Sequence, residues 1–289
     1  MDSPLKNTIQ IKPCGWEEFL RLATRTQATG EPNKSWSYPR LVLYRGHTSP
    51  EWPLSSTMER HLRLPASSVS SEGDTNLHLR KLNGVEWYRE ECGFALDRFL
   101  KNANGYGELD KCENNLDKWL LGRHFGLASP YLDWTFSPFV AAFFALSTFV
   151  DQMSGLRSAY HTMPDGVMSV WQLNVWDSEK WPDDVEFIVP NSRIGSRARA
   201  QQCAFTKLES KNEIDLMTFL ESKNCAHWLM RYDIEMSDAS MALKDLQLMN
   251  INYLNLFPDM TGAALDANVQ YRFIWHNDHL QAVAKGRSD

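Results

Sequence analysis

The chain has 289 residues and a net charge of −6 at neutral pH. Hydrophobic residues make up 43% of it and charged residues 23%, the balance of a globular domain rather than a disordered or fibrous chain. The mild acidity argues against a protein that grips nucleic acid through bulk positive charge, and 11 tryptophans point to a dense core, a ring-stacking site or both.

Residues 1–13 lack the apolar segment of a secretory signal. Residues 14–25 place Trp16, Phe19, Leu20 and Leu22 at helical spacing. Residues 27–40, rich in Gly, Pro, Asn and Ser, read as a loop. Residues 40–44 form a short β-like run that stops at Gly46, and residues 65–75 read as a surface loop. Residues 77–104 fit a long amphipathic helix or a broken helix pair, and residues 116–124 a second helix. The longest apolar run, 136–150, is too short for the roughly 18 to 20 residues that span a bilayer. Within it Ser137-Pro138 suits a helix start, because Ser caps free amides and Pro is tolerated in the first turn. The run that follows is apolar all round and belongs in the core.

In the second half, residues 166–175, 185–189 and 226–234 read as strands, and residues 237–248 and 258–273 as helices. The five cysteines are odd in number, scattered and without a C-x-x-C pair. That argues against a zinc ribbon or a disulfide scaffold and fits a reducing cytoplasm. The expectation is α+β: a single compact domain with a mixed or antiparallel sheet and several flanking helices. Its parts are an N-terminal helical extension and loop (1–39), the main domain (40–275) and a polar tail (276–289).

Four clusters can carry chemistry. Tyr44-Arg45-Gly46-His47 places an arginine fork at a strand end, suited to a phosphate or carboxylate, with Gly46 letting a ligand approach the backbone. The same arginine also suits capping of turn carbonyls. His124 and the pair Asp133-Trp134 offer an imidazole, a carboxylate and a stacking ring, or a helix cap and core packing. Arg193, Arg197, Arg199 and Gln201 form either an anion-binding rim or a solvated basic loop. Asp259, after Phe257-Pro258, sits where it can cap a helix. The eight histidines show no H-E-x-x-H and no zinc-type spacing, so no metal is expected. P-loop, G-x-G-x-x-G and G-x-S-x-G patterns are absent from the sequence.

In order, these blocks resemble the FRG-domain family, named for an aromatic-Arg-Gly motif. The match runs from Tyr44-Arg45-Gly46 through Trp52-Pro53-Leu54, Glu59-Arg60 and Glu90 or Glu91. It continues through the block from Arg123 to Pro138, then Gln201 to Phe205 and Leu256 to Gly262. Arg123 stands where the family has Gln, Ala128-Ser129-Pro130 where it has Pro-Thr-Arg, and Cys203 where it has Gly. Arg193, Arg197 and Arg199 are the candidates to replace the missing arginine. The resemblance implies bacterial or phage-borne systems of defence or toxin type, with a protein partner.

The Tyr-Arg-Gly strand is also similar to the first motif of ADP-ribosyltransferase folds. That similarity implies NAD as a substrate, clamped by Arg45 and His47, with Trp134 or Tyr131 stacking on nicotinamide. His124 and Asp133 complete the catalytic set, and Tyr44, Gly46, Trp134, Arg193, Gln201 and Asp259 the binding set. Glu209 and Asp259 are the candidates for a late acidic residue. The alternative is a non-catalytic nucleotide- or protein-binding sensor. A nuclease needs carboxylate clusters for metal ions, which the sequence does not offer.

Overall fold

The computed structural model describes residues 7–28, 41–63, 78–155, 166–175, 181–190 and 196–271. Among the described residues, seven strands lie in one sheet: β1 (Gln10–Cys14), β2 (Leu41–His47), β3 (Tyr131–Thr135), β4 (Val167–Val175), β5 (Val185–Ile188), β6 (Cys203–Leu208) and β7 (Leu229–Glu235). Their spatial order is β1-β7-β4-β2-β3-β6-β5. The β1–β7 pair is parallel and every other pair antiparallel, so the sheet is mixed. Together with the helices among the described residues, this is an α+β domain.

The first face of the sheet is covered by α1 (Trp16–Ala28), α6 (Pro138–Gly155) and α9 (Ala239–Leu248). Val140, Ala141, Ala142, Ala145 and Leu146 of α6 are buried with Tyr44, Val170 and Ile234 of the strands. The apolar stretch therefore lies in the core, and it starts as its sequence indicates: Ser137 Oγ accepts from the Val140 amide at 3.3 Å. Trp16 and Phe19 are fully buried in the same cluster. The Trp16 amide and indole N–H both donate at 2.7 Å, to Asp238 and Asp245.

A second cluster holds Leu43, Leu132, Trp134, Trp171 and Leu173 with α8 (Leu216–Ser222). A third gathers α2 (Thr57–His61), α4 (Val85–Asn102) and α5 (Asn115–His124) around Tyr131 and Phe205. The helical stretch in the first half of the chain is a broken pair. A short α3 (Leu79–Asn83) closes on Gly84, whose φ of +92° suits glycine, and α4 starts at the next residue.

The strand assignments differ from the sequence reading in several places. β2 passes through Gly46 to His47, because β4 continues to pair with it as far as Ser169. Residues 131–135, not assigned to a strand from the sequence, form β3; both of its faces are largely buried, which erases the polar–apolar alternation. β6 escapes notice for the same reason. β1 is mostly exposed and contains Pro13, tolerable because it is an edge strand. The strand read at 226–234 starts at Leu229, after one 3-10 turn. Loop 65–75, tail 276–289, Arg193, Trp36 and Trp176 lie outside the described residues. Among the described residues no helix is long and apolar enough to cross a membrane.

Candidate functional site

The site originates in a defect of the sheet. β2 pairs with β4 along its full length and β3 with β6 along its full length. β2 and β3 themselves share a single register position, Tyr44 opposite Thr135. A cleft of about 1380 Å³ lies at this seam. Both strands line it, together with the C-terminal end of α5, the short helix α7 (Ser196–Ala200) and residues 257–259.

Arg45 reaches across the seam. Its Nη1 donates to the Asp133 carbonyl at 2.8 Å and stands 3.8 Å from the Asp133 carboxylate. Its Nε donates to Nε2 of His47 at 2.9 Å. His47 is 3% exposed, and burial, reinforced by Arg45 and Arg60, pulls its pKa down to about 3. The imidazole is therefore neutral, accepts at Nε2 and carries its proton on Nδ1. Its role is to aim Arg45. Burial also lowers Arg45, to about 10, with Asp133 opposing, so the guanidinium stays charged at neutral pH.

The other oxygen of Asp133 is ion-paired with Arg123. Arg123 is itself fixed by the Tyr131 carbonyl at 2.7 Å and by the Phe205 ring beneath its guanidinium. The Asp133 side chain remains 48% exposed while the two arginines are under 20%. A half-open carboxylate thus stands between two held cations. Arg60 also lines this region, lowered by burial and by neighbouring arginines. Three arginines against one carboxylate make this floor attractive to an anion.

The opposite wall is built on the start of α11 (Met260–Val269). Asp259 caps it, accepting from the Thr261 and Gly262 amides at 2.9 and 3.2 Å. Its second oxygen accepts from Arg197 Nε at 2.8 Å, and Arg197 lies 4.9 Å from the Phe257 ring. Desolvation pushes Asp259 up, but Arg197 and the two amides outweigh it and hold the carboxyl below its ordinary value. His124 is lowered by partial burial and then by Arg197, with Asp259 opposing. Gln201 donates to the Leu256 carbonyl at 3.0 Å, and its own carbonyl accepts from Thr135 at 2.7 Å.

Tyr44, Arg45, Gly46, His47, His124, Asp133, Trp134, Gln201 and Asp259 all line this one cleft, though they come from residues far apart in the chain. Arg193 lies outside the described residues. Three of the lining residues have other work. A Cβ on Gly46 would meet the Ala141 carbonyl oxygen at 1.9 Å, so this glycine admits α6 rather than a ligand. Tyr44 is fully buried beneath α6. Trp134 is 2% exposed, packs in the second cluster and donates its indole N–H to Thr206 at 2.9 Å. Its side chain is core, and the stacking role suggested by its neighbour Asp133 does not fit that burial.

Arg123, in the sequence only a departure from a family pattern, Phe125, and Arg60 and Trp52, in the sequence only members of family blocks, also line the cleft. The signal for Arg123 was available in its position at the end of α5, ten residues before Asp133. Among the described residues no group of three or more His, Cys, Asp or Glu is placed to hold a metal ion. Residues 40–153, which supply Arg45, Arg60, Arg123 and Asp133, match the family model of the FRG domain. No curated protein matches the chain, and no solved structure does.

Proposed function

We propose, from a chain that carries an FRG domain over residues 40–153, that the cleft binds NAD and breaks its bond to nicotinamide, in the manner of an ADP-ribosyltransferase or glycohydrolase. The carrying observation is Asp133, half exposed in the cleft and fixed between Arg45 and Arg123. Arg45 and Arg60 hold the diphosphate through charge-assisted hydrogen bonds. The Asp133 carboxylate stabilises positive charge on the ribose as the C1′–N bond breaks. The bonding pair leaves with nicotinamide, and an acceptor oxygen or nitrogen bonds to C1′. His124, lowered from its ordinary pKa, takes the proton the acceptor loses. On this reading the activity serves a bacterial or phage defence or toxin-type system with a protein partner, as the family resemblance suggests.

The test is release of nicotinamide from NAD by purified protein, alone and with cell lysates as a source of acceptor. Arg45→Ala is expected to lower the rate by at least about 10²-fold. Asp133→Asn should abolish turnover while NAD still binds by calorimetry. One observation favours a second reading, a nucleotide-binding sensor: both Asp133 oxygens already face arginines. Calorimetric binding of NAD with no release in any lysate would select it.

A further inference from the structure

Two large aromatic side chains stand exposed on the cleft: Trp52 is 44% exposed and Phe125 is 64% exposed. Each touches a cleft histidine. Trp52 lies 6.0 Å from His47 and Phe125 4.7 Å from His124, centroid to centroid. The two histidines sit in different surroundings. His47 is flanked by Arg45 and Arg60, whereas His124 is flanked by Arg197 and Asp259. The rings therefore mark two separate regions of the cleft, with Arg123 and Asp133 as the third component. The volume of about 1380 Å³ exceeds the roughly 300–1000 Å³ of an ordinary small-ligand pocket. A ligand with an anionic group for the arginines and an aromatic group for each ring is complementary to these three components.

We propose that Trp52 and Phe125 are the ring-stacking residues of the site, each holding one base of a dinucleotide. This inference rests on the NAD reading above but assigns residues that the reading does not. Trp134, in the core, is excluded as the stacking ring by its burial. Trp52 and Phe125 present π-faces at no cost to the fold, because neither belongs to an apolar cluster among the described residues. Stacking also explains why two rings stand so exposed beside the arginines of the cleft.

Calorimetry with NAD, nicotinamide mononucleotide and AMP tests it on wild type, Trp52→Ala, Phe125→Ala and Trp52→Phe. Each alanine variant is expected to bind NAD about tenfold more weakly, the order of one lost base stack. Each should also weaken only one of the two half-ligands, and not the same one. Trp52→Phe should restore most of the affinity, and melting temperatures should stay within about 2 °C of wild type, since both rings are exposed. NAD binding at wild-type strength in both alanine variants overturns the assignment and leaves the NAD reading intact. Loss of the same half-ligand in both also overturns it. Absence of NAD binding to the wild-type protein overturns the NAD reading and this inference with it.

Discussion

His47 at the end of β2 is a buried histidine of the candidate site that accepts a hydrogen bond from Arg45. It presents a lone pair to Arg45 and stays neutral because burial beside cations forbids a second proton. That has a consequence for acid stability. Unfolded, the side chain takes a proton below its ordinary value of 6.5, whereas in the fold it does so only near 3. The contribution is complete above pH 6.5 and is lost as pH falls toward 3, because the unfolded chain then binds the extra proton. His47→Gln keeps an acceptor for Arg45 and removes the titration. Urea midpoints at pH 7.5 and pH 4 should show wild type losing a few kcal/mol more than the variant. Equal losses would show that His47 protonates in place. The sequence marked Arg45, Asp133 and Asp259 because their residue types carry charge chemistry wherever they sit. It could not demote Trp134, since which side of a strand an indole takes is settled by pairing across the sheet.

Among the elements, α6 and β2 meet backbone to backbone. A Cβ on Gly46 would lie 1.9 Å from the Ala141 carbonyl oxygen and 2.6 Å from the Ala145 amide nitrogen, and neither can rotate away. Gly262 is closed in similarly: a Cβ there would lie 1.8 Å from the Phe257 carbonyl oxygen and 2.7 Å from that of Tyr253. The glycines of both motifs are thus packing residues that bring α6 and α11 close enough to form the cleft walls. Gly46→Ala is expected to cost about 3 kcal/mol and to lower the melting temperature by roughly 5–10 °C. A differential scanning calorimetry trace unchanged from wild type would refute that contact. The helices were largely readable, because apolar spacing and caps such as Ser137 are local signals. β3 and β6 were not, because a strand buried on both faces shows no alternation. β1 was not, because an exposed strand with a proline carries no apolar period at all.

Across the molecule, a buried ionic cluster ties the helices of the first half to the sheet of the second. Arg80 is fully buried and donates to Glu59 at 2.6 Å, to the Leu208 carbonyl at 2.9 Å and to the Glu213 carbonyl at 2.6 Å. His78, also fully buried, meets the Glu59 carbonyl at 2.9 Å. Removing one partner strands the other charge without water. Arg80→Met should destabilise by about 3–5 kcal/mol in chemical denaturation. The double variant with Glu59→Gln should recover part of that loss, because no unpaired carboxylate then remains. A double variant weaker than the sum of the singles would rule out this charge coupling.

The parallel pairing of β1 with β7 sets a timetable for the chain on the ribosome. Gln10 pairs with Met230, so 220 residues must be added before the first strand can find its neighbour. At about 5–20 residues per second, synthesis takes roughly 10–45 s to reach that point. During that interval the indole of Trp16 lacks Asp245, its hydrogen-bond partner, and the sheet edge that β1 will cover does not yet exist. β1 therefore joins the sheet only after β7 has been made.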